Sequence, residues 1–390
     1  MNGHSPAEPL APEHDRGPVA DAGSVRARYC FLVAPGGQPG GGMGRVSDYL
    51  LQAARADATL PVYVPIDPRG PGHAILSPFY VCAALARMSL GAWRKEAALA
   101  HFNVGDHGSL WRKGLLILWA RLIRLPVVLH LHATKLIAYY AGLPAIMKRL
   151  VRTIFRSANC CIVLGGMWRD FLTKEIGVDA SKVVVLYNGV PRGQHPRQVA
   201  AGSPPFRILF LGNLMERKGV SDLLAALAQE PMSGLDWHAT LAGGGPIDLY
   251  REKADRLGLN SRVTFAGWVD QEEAGKLLAA SDTLVLPSYD EGLPLVILEA
   301  LTTGVPVVCT PVGAIPEVIE NEKTALFVQP GDPAALAAAL SRLGRDPHLG
   351  ERLAHAGLAL YEQEFSLETF GARVSAIYGK YCFAGRPLHR

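Results

Sequence analysis

The strongest constraint on this 390-residue chain is a rhythm: apolar runs of four to seven residues, each followed by a helical pattern. Strands that alternate with helices pair in parallel and build an open, twisted sheet covered on both faces. In the first half, strands are expected at 29–34, 60–64, 98–103, 126–132, 159–164 and 182–186, with helices at 44–56 and 110–124. The rhythm breaks at 189–205, GVPRGQHPRQVAAGSPP, a Pro/Gly-rich polar segment of linker composition. It then restarts, with strands at 207–212, 237–243, 262–266, 283–287, 307–310 and 325–328 and helices between them. The expected class is α/β: two Rossmann-like domains facing across a cleft, with ligands outside the carboxyl ends of the strands. The expected divisions are a disordered tail over 1–25, a first domain over 26–190, a linker over 191–205, and a second domain over 206–362. A closing segment, 363–390, is expected to cross back to the first domain.

Length supports two domains. Hydrophobic residues make up 49% and charged residues 19%, a folded composition. The net charge of +4 is too small for a nucleic-acid binder and suits anionic small molecules or an anionic membrane surface. Six cysteines form no C-x-x-C pair and read as buried, reduced thiols. The Pro/Ala/Asp/Glu-rich start does not read as a signal peptide, and no apolar stretch reaches the roughly 20 residues of a membrane span. These features imply a cytoplasmic protein, soluble or lying on the inner face of the membrane.

Four stretches carry chemistry. In PSYDEGLPLVILEA, 287–300, a strand end leads through Asp290, Glu291 and Gly292 into a helix opened by Pro294. Free N–H groups at such a helix start attract an anion. Glu299 falls in an apolar part of that helix and needs a partner. The bland alternative is a loop glutamate and a salt-bridged helix glutamate. In FLGNLMERKG, 210–219, the chain turns at Gly212, and Arg217 and Lys218 precede a helix. Two cations at a helix N-terminus oppose its dipole, so a diphosphate there explains them better than a solvated pair. PGGQPGGGMGRV, 35–46, is a glycine-rich entry to the first helix but not a G-x-G-x-x-G fingerprint. Gly42 and Gly44 are its candidates for backbone contact with phosphate or sugar. In VVLHLHA, 127–133, His130 and His132 face one side of a strand, with His132 at its carboxyl end.

Together these residues resemble the retaining glycosyltransferases of the GT-B fold, family 4, whose C-terminal half is called glycosyl transferases group 1. The resemblance covers roughly 28–382. It implies that Glu291 contacts the donor sugar and Glu299 the ribose hydroxyls, while Arg217 and Lys218 neutralise the leaving diphosphate. It also implies that His132 reaches the donor sugar, and that Gly212, Gly292, Leu293, Pro294 and Leu295 line the donor site. Gly243–Pro246 and Gly267-Trp268-Val269 resemble its base-binding region, which gives Trp268 as a further candidate. Asn188-Gly189-Val190 matches the end of its N-terminal domain, with Pro191 where Asp is common.

The HFN at 101–103, the GSLWRKG at 108–114 and the His-Leu-His-Ala run resemble a branch that builds bacterial exopolysaccharides. Ser109, Arg112 and Lys113 either bind an acceptor phosphate or cap a helix. The basic amphipathic stretches at 111–124 and 147–156 suit anionic headgroups or are core helices with solvated charges. The expected reaction moves a hexose from a GDP- or UDP-sugar to a glycan or polyprenyl-diphosphate-linked acceptor, with no metal, since no Asp-x-Asp motif is present. Two other readings stand beside it: an epimerase of the same fold and a non-catalytic sugar-binding protein.

Overall fold

The computed structural model describes residues 28–35, 41–70, 74–133, 135–195, 197 and 204–383. The expected tail over 1–25, the centre of the glycine-rich loop, much of the linker and the end of the closing segment lie outside these residues.

The first half runs β1 (Tyr29–Val33), α1 (Gly41–Ala56), β2 (Tyr63–Ile66), α2 (Ser77–Trp93), β3 (Ala97–Val104), α3 (His107–Leu122), β4 (Val127–Leu131), α4 (Leu136–Ala141), α5 (Ala145–Ser157), β5 (Cys160–Val163), α6 (Gly166–Asp170) and β6 (Val183–Val185). The second half runs β7 (Phe206–Leu211), α7 (Val220–Leu227), α8 (Glu230–Ser233), β8 (Trp237–Ala242), α9 (Ile247–Arg256), β9 (Val263–Gly267), α10 (Gln271–Ala279), β10 (Thr283–Leu286), α11 (Leu295–Thr303), β11 (Val307–Cys309), α12 (Ile315–Val318), β12 (Leu326–Phe327), α13 (Pro333–Arg345), α14 (Pro347–Leu360) and α15 (Leu367–Cys382).

Each half closes around one six-stranded parallel sheet, in the orders β2-β1-β3-β4-β5-β6 and β12-β11-β10-β7-β8-β9. The central strands are apolar on both faces because helices cover both, as in Cys160–Val163 and Thr283–Leu286, which are buried throughout. Four helices of the second half, α10, α13, α14 and α15, start on carboxylate or hydroxyl caps. Asp270, Asp332, Asp346 and Ser366 accept from the backbone N–H three residues on, at 2.9, 2.9, 3.1 and 3.1 Å.

The second strand sits at 63–66 rather than 60–64. It is an edge strand, where Pro65 costs no ladder bond, and Cys30 pairs with Tyr63. The sequence reading placed no element at 77–93, where α2 stands. That helix buries Ser77, Val81, Ala84, Met88 and Gly91 while leaving Phe79, Leu90 and Trp93 exposed, so apolar residues on both faces hid its period. Four cysteines are buried, but Cys82 is exposed and Cys382 half-buried, because α2 turns Cys82 outward and Cys382 closes the last helix.

The chain crosses between the halves twice. Val190 N–H donates to Phe365 O at 2.9 Å and Tyr361 OH to Val190 O at 3.3 Å, fixing the crossing point. Helix α15 then packs on α1, and its buried Tyr378 bonds Tyr63 OH at 3.0 Å and His101 Nδ1 at 2.7 Å.

Candidate active site

The site is built at the carboxyl ends of both sheets. In the second half, Glu216–Lys218 forms a single 3₁₀ turn and Gly219 (φ 70°) reverses the chain into α7. A Cβ at Gly219 would lie 2.0 Å from Pro287 O, so only glycine lets this turn sit against the loop after β10. That approach resolves the misplaced charges. Lys218 Nζ makes an ion pair with Glu291 Oε1, and Arg217 Nη1 donates to Asp290 O at 3.3 Å.

Glu291 is only 6% exposed, and its Oε1 also accepts from Ser288 Oγ at 2.7 Å. Gly313 (φ 62°) supports the loop from behind: its Cβ would lie 2.0 Å from Glu291 O. Ala314 N–H donates to Gly292 O at 2.9 Å.

Pro294 is the residue before α11 with extended ψ (125°), not its first helical residue, and no side chain caps the helix. The first turn follows directly on the loop that carries Glu291. Leu293 and Leu295 point into the core, so they can meet a ligand only through their backbone. Gly212 follows β7 and its N–H donates to Ala242 O at 2.9 Å, while Trp268, just past β9, is 57% exposed.

Glu299 has partners that the sequence did not reveal. Its Oε1 accepts from Arg45 Nη2 and, at 2.8 Å, from Tyr49 OH, both on α1 of the other domain. Gln271 Nε2 donates to Tyr49 OH at 3.0 Å. Burial pulls the Arg45 guanidinium down, but Glu299 and Tyr49 more than offset it and its pKa is raised. Burial and Glu299 together raise Tyr49. The available signal was the spacing: Arg45 and Tyr49 stand four apart on one helix face, directly after the glycines. Helix α1 begins at Gly41, three residues earlier than expected, so Gly42 and Gly44 lie in its first turn, where an added Cβ would meet nothing within 4 Å.

His132 follows β4, and its Nε2 meets Asn103 Oδ1 at 3.2 Å. Asn103 Nδ2 donates to Ser47 Oγ at 2.8 Å, and Ser47 Oγ to Met43 O at 3.0 Å. Its ring lies 4.1 Å from that of His130, whose Nδ1 meets His101 Nε2 at 3.3 Å. His130 Nε2 is buried with no partner among the described residues. Burial, then neighbouring charge, lowers His132 to about 3, and burial lowers His101 to about 4.

Buried Lys113 donates to Asn103 O and is lowered to about 7, mainly by burial and then by Arg112. Ser109 Oγ accepts from Gly105 N–H at 3.1 Å and makes no cap at the start of α3. The structure thus brings Arg217, Lys218, Glu291 and the start of α11 together, and sets Glu299 against α1. It ties His132 to Met43 beside Gly42 and Gly44.

The glycosyl transferase 4-like domain matches residues 22–189, and the glycosyl transferases group 1 domain matches 205–346. The chain is 28% identical over 318 residues to the glycogen synthase of Mycobacterium tuberculosis, covering 79% of this chain and 73% of the relative. It is 27% identical over 279 residues to the alpha-D-kanosaminyltransferase of Streptomyces kanamyceticus, covering 67% and 72%. Among solved structures, Anabaena HepE in complex with UDP and glucose superposes with a TM-score of 0.70 at 20% identity, over 90% of this chain and 98% of that one. Two parallel sheets, a cleft between them and a matched domain on each side lead to one conclusion: the chain belongs to the group 1 glycosyltransferases and has the GT-B fold.

Proposed function

We propose that the chain transfers a hexose from a nucleoside-diphosphate sugar to an acceptor hydroxyl with retention of anomeric configuration. The observation that carries this reading is the pairing of Lys218 with buried Glu291 beside Arg217 and the uncapped start of α11. Three positively polarised groups, Lys218, Arg217 and the α11 start, converge where a diphosphate leaving group would develop charge. Glu291 stabilises the oxocarbenium-like centre. The acceptor hydroxyl attacks from the face that the diphosphate leaves, and a phosphate oxygen takes its proton. Neutral His132 offers Nδ1 as an acceptor to a sugar hydroxyl, because Nε2–H is committed to Asn103. With two cations already on the diphosphate, no divalent ion is needed.

UDP and glucose in HepE, a neighbour of the same fold, favour a UDP-sugar, with GDP-sugars the other class. We assign the acceptor to a lipid-linked glycan of cell-surface or exopolysaccharide assembly. Support comes from charge: residues 107–169 contain ten Lys and Arg and no Asp or Glu. Within that stretch, Ile146, Met147 and Leu150 are exposed on α5 beside Lys148, Arg149 and Arg152, a surface suited to anionic headgroups. Among the described residues no helix is long and apolar enough to cross a membrane, so docking would be peripheral. The test is incubation with radiolabelled UDP- and GDP-hexoses and a bacterial lipid extract, followed by NMR of the product. An α-linked sugar on a lipid fraction is expected. Transfer only to a water-soluble metabolite, or a β-linked product, would overturn the acceptor or the stereochemical assignment respectively.

A further inference from the structure

Glu299 reaches across the cleft with one oxygen only. Oε1 is filled by Arg45 Nη2 and Tyr49 OH, while Oε2 has no hydrogen-bond partner among the described residues. On the other side of the same ion pair, Arg45 Nε is buried and has no partner among the described residues. One acceptor and one buried donor therefore stand unfilled beside a single ion pair. A cavity of about 360 Å³ adjoins the ion pair, lined by Arg45, Tyr49, Gln271 and Glu299 among others. A buried N–H left without a partner is costly, so this arrangement calls for a ligand that supplies a lone pair and a hydroxyl hydrogen side by side. A vicinal diol does this: one hydroxyl donates to Oε2 and its neighbour accepts from Nε.

We propose that Arg45 is a nucleoside-binding residue, and that the ribose diol of the donor is held by both domains at once, through Glu299 Oε2 from one and Arg45 Nε from the other. The proposal rests on the reading of Glu299 as the ribose carboxylate and adds a partner to it. Tyr49 and Gln271 are positioning residues. They hold Glu299 Oε1 so that the guanidinium stays in plane and Oε2 stays open. A consequence is that the C-terminal domain alone lacks half of the ribose site, so donor affinity depends on the two domains being closed.

The experiment is calorimetric titration of UDP, 2′-deoxy-UDP and 3′-deoxy-UDP into the wild type, Arg45→Met and Glu299→Gln, with GDP and its deoxy forms used if guanine nucleotide binds more tightly. In the wild type each missing hydroxyl should weaken binding about tenfold, equivalent to ~1.4 kcal/mol. In Arg45→Met the ribonucleotide should bind about tenfold more weakly. One deoxy form should then match it within twofold while the other keeps its penalty. Glu299→Gln should relax the opposite hydroxyl. Full penalties at both hydroxyls in Arg45→Met, or tighter ribonucleotide binding, would overturn the proposal; the latter marks Arg45 as a plug on the carboxylate. Full penalties in Glu299→Gln would overturn the Glu299 reading separately. Circular dichroism melts confirm that each variant is folded.

Discussion

In the proposed reading, Lys218 serves two anions with one ammonium group. It neutralises Glu291, which is only 6% exposed, and we assign its remaining N–H donors to the diphosphate. Replacing it with methionine leaves the carboxylate buried and unpaired, a change that costs about 3–5 kcal/mol when a buried pair is broken. Lys218→Met is therefore expected to lower the unfolding free energy by several kcal/mol and kcat by about 10²–10³-fold. Steady-state kinetics at saturating acceptor, with denaturant unfolding of the same sample, checks both. A kcat within threefold of wild type would contradict the assignment. Charge placement made this residue legible in the sequence, because two cations at a helix start have no local use. Its pairing with Glu291, which Ser288 Oγ also holds, was not legible: the 3₁₀ turn at Glu216–Lys218 and the loop after β10 meet only through the fold.

At the scale of elements, β3, β4 and α15 hold a connected row: buried Tyr378, His101 and His130, and half-buried His132 just past β4. The sequence showed the alternating His130 and His132 and, apart from them, the HFN at 101–103; the link to α15 was not visible, since 277 residues separate Tyr378 from His101. Burial holds all three histidines neutral, His101 lowered to about 4, His132 to about 3 and His130 well below its usual value. The unfolded chain protonates near pH 6.5, so between pH 6.5 and 4 it binds more protons than the folded state. Stability must fall as pH falls through that window, by up to ~4 kcal/mol per pH unit if all three contribute. Urea midpoints from pH 7.5 to 4.5 test this. A steep decline beginning near pH 6.5, shallower in His130→Leu, is expected; a flat profile down to pH 5 would contradict it.

At the scale of the molecule, the alternation of strand and helix was enough to specify two sheets, because both are parallel and covered on both faces. What it left open is how the halves meet. The Arg45–Glu299 pair, the Val190–Phe365 bond and the pairing of Glu317 with Gly166 N–H at 2.8 Å all join residues more than 150 positions apart. Such contacts follow from the crossing of α15 back onto α1, and single-strand periodicity carries no trace of them. They also account for why Arg45 is not legible as a site residue: its partner is a carboxylate in the other domain.

The central claim is that a nucleoside-diphosphate sugar binds in this cleft with its ribose on Glu299. The most direct measurement is thermal unfolding of the wild type and Glu299→Ala across GDP-, UDP- and ADP-sugars. A ligand at 100 times its dissociation constant should add about 2.7 kcal/mol of stability. The account predicts that one nucleotide class raises the wild-type midpoint by several degrees and leaves Glu299→Ala near its ligand-free value. Equal shifts in both proteins, or none in the wild type with any nucleotide sugar, would contradict it.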